Sequence, residues 1–265
     1  MTHILEIKHM TKTFNESSFL LRRRFDNTPP AVDDFSLSIA SGESFGLVGE
    51  SGSGKSTVAN SIMGLVKPEA GEILFEGHDL LTMSQQERRA LYQEMQMVFQ
   101  DPYSTLDPKK TVGWSIMEPL NIHKIGSKAE RKQMVLEALT DVELDEAYFN
   151  SYPHQLSGGQ RQRIAIASAI VLRPKLLVID EGVSSLDVSI QAAILNLLND
   201  LKKKYQLTYL FISHDLNVIE YFCDRIAVMY HGKLVEIFDS ADTDVSKRAD
   251  YTKKLFEAIP QIYLT

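Results

Sequence analysis

Gly49-Glu50-Ser51-Gly52-Ser53-Gly54-Lys55-Ser56-Thr57 decides how the rest of the chain is read. It follows the apolar run Ser44-Phe45-Gly46-Leu47-Val48 and opens onto helical spacing over 58–66. Strand, glycine-rich loop and helix in that order form the context of a phosphate-binding loop. Glycines let successive backbone N–H groups turn toward phosphate oxygens. The helix N-terminus adds partial positive charge at the same point. Lys55 brings a full charge to the β- and γ-phosphates, and the Ser56 hydroxyl can ligate Mg²⁺. The stretch therefore predicts binding of a nucleoside triphosphate.

The remaining composition narrows the class. With 265 residues, 44% of them hydrophobic and 24% charged, the chain can form one large domain or two small ones. A net charge of -7 argues against a nucleic-acid surface. The cluster Arg22-Arg23-Arg24, set among Ser, Asn and Pro, reads as a solvated loop. The single cysteine, Cys223, rules out an internal disulfide framework and is expected to be a buried small hydrophobe. No apolar run reaches eighteen residues and no signal-peptide core is present, so a cytoplasmic address is expected.

Alternating residues predict strands over 5–10 and 35–39, separated by an irregular insert, 15–30, that ends in Pro29-Pro30. The glycine-bounded stretch 71–77 adds a third strand and suggests a small antiparallel sheet. Ser84 with Glu87, and Ser127 with Glu130, are capping boxes that announce helices. The section 100–162 reads as a helical subdomain, with Pro102, Pro108, Pro119 and Pro153 as breaks. Helices are expected over 160–172 and 188–201, buried strands over 176–179 and 208–212, and a hairpin around His231-Gly232.

Leu176-Leu177-Val178-Ile179-Asp180-Glu181 ends a buried strand in two carboxylates. In a parallel α/β sheet, ligands bind at the carboxyl ends of strands. Asp180 can there hold Mg²⁺, directly or through water, and Glu181 can polarise a water attacking the γ-phosphate. Acidic residues also end strands on a solvated edge without any function; the phosphate loop tips the balance. Leu156-Ser157-Gly158-Gly159-Gln160 reads either as an ordinary helix cap or as a second anion-binding helix start. One nucleotide seldom needs two such starts in one chain. A second copy or a relative could bring Ser157, Gly158 and Gly159 against a γ-phosphate held by the first loop.

On these residues the chain resembles the nucleotide-binding subunit of ATP-binding cassette (ABC) proteins over essentially its whole length. Gly49 to Thr57 resembles Walker A, Gln100 the Q-loop glutamine, Leu156 to Gln160 the signature motif, and Asp180-Glu181 Walker B with its catalytic glutamate. Ser184-Ser185-Leu186-Asp187 resembles the D-loop, His214 the switch histidine, and Phe14 the aromatic that stacks on adenine, with Phe19 or Phe25 as substitutes. Gly182 departs from the family, where proline commonly follows the glutamate.

The resemblance implies an α/β fold: a P-loop NTPase (RecA-like) core with a small antiparallel β-subdomain over 1–99 and 163–240. It further implies an inserted α-helical subdomain over 100–162 and a helical tail over 241–265. ATP would be bound through Phe14, Gly49, Glu50, Ser51, Gly52, Ser53, Gly54, Lys55, Ser56, Thr57, Ser157, Gly158, Gly159, Gln160 and Asp187. Catalysis would fall to Glu181, His214 and Gln100, and Mg²⁺ binding to Ser56, Gln100 and Asp180.

Two further stretches, 100–108 and 250–260, are similar to ATPases of dipeptide, oligopeptide and nickel importers. That group implies ATP hydrolysis that energises import, with oligopeptides or dipeptides as the first expectation. It implies a second ABC ATPase subunit as partner, usually a different chain. It also implies two transmembrane permease subunits, an extracytoplasmic solute-binding protein, and a place on the cytoplasmic face of the membrane. The competing expectations are a nickel importer and a soluble ABC ATPase of a non-transport assembly, such as a carbon–phosphorus lyase complex. No nucleic acid is expected as partner, and the transported solute is not legible in this chain.

Overall fold

The computed structural model describes residues 3–14, 29–99, 105–182 and 187–257. Its strands are β1 (His3–Lys12), β2 (Val32–Ala40), β3 (Ser44–Val48), β4 (Ala70–Phe75), β5 (His78–Asp79), β6 (Met95–Val98), β7 (Leu176–Asp180), β8 (Thr208–Ser213), β9 (Arg225–Tyr230) and β10 (Lys233–Asp239). Its helices are α1 (Lys55–Ile62), α2 (Gln85–Leu91), α3 (Val112–Ile122), α4 (Lys128–Asp141), α5 (Gly158–Ile170), α6 (Val188–Tyr205), α7 (Leu216–Phe222) and α8 (Asp250–Glu257). Two compact units divide the chain: residues 1–41, 45–83 and 212–265, and residues 42–44 with 84–211.

In the first unit, β2, β1, β4 and β5 form an antiparallel sheet in that order. Leu5 and Ile7 share the buried face of β1. Strict alternation would next bury residue 9. Instead the register shifts between Ile7 and Met10, His9 sits exposed at φ 51°, and Met10 is buried. The same unit holds β10, β9 and β3 as neighbours, β3 parallel to β9. Every residue of β3 is buried, as its unbroken apolar run requires. Gly46 is small because α7 packs on it: a Cβ there would meet Ile219 Cγ2 at 2.6 Å and Cys223 Sγ at 3.1 Å. Cys223 is itself buried, as expected.

In the second unit β8, β7 and β6 are neighbours, with β6 parallel to β7. β7 is buried throughout. Tyr209 of β8 is also fully buried, and its hydroxyl donates to the Leu198 carbonyl of α6 at 2.9 Å. Burial pushes that phenol far above its ordinary pKa, so it stays a donor. Both capping boxes form as expected, Ser84 with Glu87 at α2 and Ser127 with Glu130 at α4. Asp141 at the end of α4 accepts from both Lys204 and Tyr205 of α6.

Pro119 departs from the sequence expectation. It does not break the helical section but lies inside α3, which runs on to Ile122. Proline has no N–H to give the carbonyl four residues back, which is that of Ser115. Ser168 of α5 donates its hydroxyl to the Ser115 carbonyl instead, at 3.2 Å. A partner 53 residues away thus satisfies the acceptor that the proline orphans. The helix expected over 58–66 is also displaced: it begins at Lys55 and ends at Ile62, before Gly64 at φ 66°.

Candidate functional site

The first unit builds the phosphate loop. β3 delivers the chain into it, and α1 leaves it with Gly54 as N-cap at φ 106°. Space alone requires two of its glycines. A Cβ on Gly49 would lie 2.1 Å from the Met229 carbonyl oxygen, and one on Gly54 would lie 2.2 Å from that of Ala31. The turn between β9 and β10 supports the loop from outside, since the Gly232 N–H donates to the Ser53 carbonyl at 2.9 Å.

Lys55 is 4% exposed. Its ammonium donates to the carbonyls of Gly49 and Glu50, each at 2.8 Å, and approaches Ser53 Oγ at 3.4 Å. A buried ammonium needs such partners, and here they hold it inside the loop that would receive phosphate. The helix start adds no side-chain cap of its own. That combination, an uncapped helix start with a fixed cation, suits a polyanion. Ser56 is exposed beside it and Thr57 partly so.

Glu50 has a neighbour that sequence reading did not supply. Tyr251 of α8 packs against Tyr230, with ring centroids 4.1 Å apart. Burial is the main cause that raises the Tyr251 phenol above its ordinary pKa, and the Glu50 carboxylate adds to it. Elsewhere in this unit Phe14 is half-exposed just beyond β1, and His214 is exposed just beyond β8.

The second unit carries the remaining described residues. Asp180 closes β7 and is 7% exposed. Glu181 follows in the left-handed region, at φ 49°, a conformation that costs a non-glycine residue about 1–3 kcal/mol. Gly182 then packs closely, because a Cβ there would lie 2.9 Å from Ile179 Cγ2 and 3.0 Å from Gln162 Nε2. Gly182 itself is therefore held by its surroundings. Asp187 is the N-cap residue of α6, with no side-chain capping bond.

Ser157 caps α5. Its Oγ accepts from the Gln160 N–H at 3.3 Å, and its own N–H donates to Gln160 Oε1 at 2.9 Å. Gln160 Nε2 donates onward to the Tyr148 hydroxyl at 2.8 Å. The Gln160 side chain is thus engaged within the helical section, while Ser157 remains exposed. Gly158 is half-buried between them. Gly159 is buried, and a Cβ there would meet Ile190 Cγ2 at 2.9 Å. Gln100, Ser184 to Leu186, and the alternative aromatics Phe19 and Phe25 lie outside the described residues.

Also in this unit is a groove of about 320 Å³ lined by Gln96, Phe99, Thr105, Leu106, Pro119 and Ala165, among others. Among the described residues no cluster of three or more His, Cys, Asp or Glu could hold a metal alone. No described helix is long and apolar enough to cross a membrane.

Known proteins resemble this chain over most of its length. The ABC transporter family matches residues 32–184, more than half of the chain. The oligopeptide transport ATP-binding protein OppF of Bacillus subtilis is 47% identical over 261 residues, covering 97% of this chain and 82% of that protein. AppF of the same organism, also an oligopeptide transport ATP-binding protein, is 44% identical over 258 residues, covering 97% and 78%. The solved dimeric ATP-binding cassette MJ0796, in a post-hydrolysis state with ADP and Pi, superposes with a TM-score of 0.78 at 31% identity, covering 89% of this chain and 98% of that one. The chain therefore belongs to the ABC transporter family, with the α/β P-loop fold of its ATP-hydrolysing cassettes.

Proposed function

We propose that this chain is the ATP-hydrolysing subunit that energises an importer of oligopeptides or dipeptides from the cytoplasmic face of the membrane. The buried, doubly held Lys55 at the start of α1 carries the nucleotide part of that reading. Near full-length similarity to two oligopeptide transport ATP-binding proteins supports the transported class. The stretches 100–108 and 250–260 support it at the level of sequence.

The roles follow from chemistry. The loop 49–57 and α1 bind the triphosphate through backbone N–H groups and Lys55. Phe14 offers a half-exposed ring for stacking on adenine. Ser56 and Asp180 are oxygen donors of the kind Mg²⁺ accepts. Mg²⁺, when bound, would neutralise charge that develops on the transferring phosphoryl group. Glu181 polarises the attacking water and accepts its proton. His214 and Gln100 help position that water. Ser157, Gly158 and Gly159 act on the nucleotide of a second ATPase subunit, and Asp187 serves the same contact.

Two permease subunits and an extracytoplasmic binding protein complete the proposed assembly. The groove beside Phe99 and Thr105 is the surface on which a permease would seat. Purification of the tagged chain from its own cells in mild detergent tests the proposal. Two polytopic membrane proteins and a second ABC ATPase are expected to accompany it. Soluble enzymes alone would overturn the transport role.

A further inference from the structure

We infer that Glu69 is a positioning residue for nucleotide binding: its carboxylate fixes the end of β1 and Lys12 so that Phe14 is presented to the base. The inference rests on the proposed stacking role of Phe14. β1 ends at Lys12, and Phe14 lies two residues beyond it. A ring at a free strand end would lose conformational freedom on stacking, which weakens the gain.

Glu69 removes that freedom through three contacts. One carboxylate oxygen accepts from Lys12 Nζ at 2.5 Å, and the other accepts from the Thr13 N–H at 2.8 Å. The Glu69 N–H donates to the Thr11 carbonyl at 2.9 Å, which ties the carboxylate's own backbone to β1. Lys12 Nζ in turn lies 5.2 Å from the centroid of the Phe14 ring, within cation–π range. The Lys12 side chain is 14% exposed, whereas the Phe14 ring is left half-exposed. An ion pair whose carboxylate is half-exposed contributes little to folding, so this arrangement is better read as ordering than as stabilising. Burial works to raise the Glu69 carboxyl, but hydrogen bonds from Lys12 and Thr13, with the Lys12 charge, outweigh it and hold the group below its usual range.

The test compares ATP with inorganic tripolyphosphate, which lacks the base, as competitors for a fluorescent nucleotide on the full chain. Phe14→Ala and Glu69→Ala are each expected to weaken ATP about tenfold. Tripolyphosphate binding should stay within about twofold, and the double variant should lose no more than Phe14→Ala alone. Glu69→Gln, which keeps an acceptor for the Thr13 N–H, should show a smaller loss confined to ATP. It carries the test if Glu69→Ala does not fold.

If Phe14→Ala weakens ATP while the Glu69 variants do not, the positioning role is overturned and the stacking role stands. If Phe14→Ala leaves ATP binding unchanged, the stacking role fails and the positioning role fails with it. Equal losses of ATP and tripolyphosphate in the Glu69 variants would mark a general structural effect and also overturn the inference.

Discussion

Both α1 and α5 begin in a stretch of serine and glycine, but the two starts are built differently. At α1 the N-cap is Gly54, no side chain caps the helix, and the buried Lys55 occupies the loop. At α5 the cap is complete: Ser157 and Gln160 satisfy one another, and Gln160 continues to Tyr148. The first start has no side-chain cap, the arrangement that suits an anion at a helix N-terminus. The second is already satisfied as a helix cap, so any role on nucleotide depends on the exposed Ser157 and on a partner. Similar composition therefore does not mean similar construction. What differs is how far the local side chains close the helix start on their own.

Substitutions can break this contrast. The largest effect is expected from Lys55→Ala, which removes two charge-assisted contacts and the loop's cation. ATP affinity of the full chain should fall about a hundredfold in a fluorescence titration. A loss of less than about threefold would equate the two helix starts. Gly49→Ala comes next. Its Cβ would meet backbone at 2.1 Å, which no rotamer relieves, so denaturant unfolding should show a loss of about 2–4 kcal/mol.

Ser157→Ala should cost about 1 kcal/mol of stability, the typical worth of an N-cap, while leaving ATP binding by the isolated chain unchanged. Weakened binding in that variant would show that α5 serves the chain's own nucleotide. Gly159→Ala should have the smallest effect. Its Cβ meets only a side-chain methyl, Ile190 Cγ2, at 2.9 Å. The helix gains about 1 kcal/mol from the alanine, which offsets crowding of similar size, so the net change should stay within about 1 kcal/mol by the same unfolding measurement.

Features set by neighbouring residues are legible in the sequence. The capping boxes at Ser84 and Ser127 need only four residues each, and both form. The buried strands β3, β7 and β8 are short apolar runs with turn signals around them, and all are buried. Pro119 reads as a break because its rescue comes from Ser168, on another helix. Glu69 escapes notice for the same reason: it meets Lys12 and Thr13 across 57 and 56 residues, and no periodic pattern marks such a pair. The contact of Gln160 with Tyr148 is tertiary too, and no local pattern announces it. The candidate chemistry is thus written in contiguous motifs, whereas the residues that hold it in place are found only by folding.

In the proposed mechanism, nucleotide binding and hydrolysis reside in different residues, the loop 49–57 for the first and Glu181 for the second. The most direct measurement follows ATP binding and phosphate release side by side on the native assembly and on the same assembly carrying Glu181→Gln. Unchanged ATP affinity with turnover reduced at least about a hundredfold is the predicted result. Undiminished turnover would contradict that division and move the catalytic base to another residue.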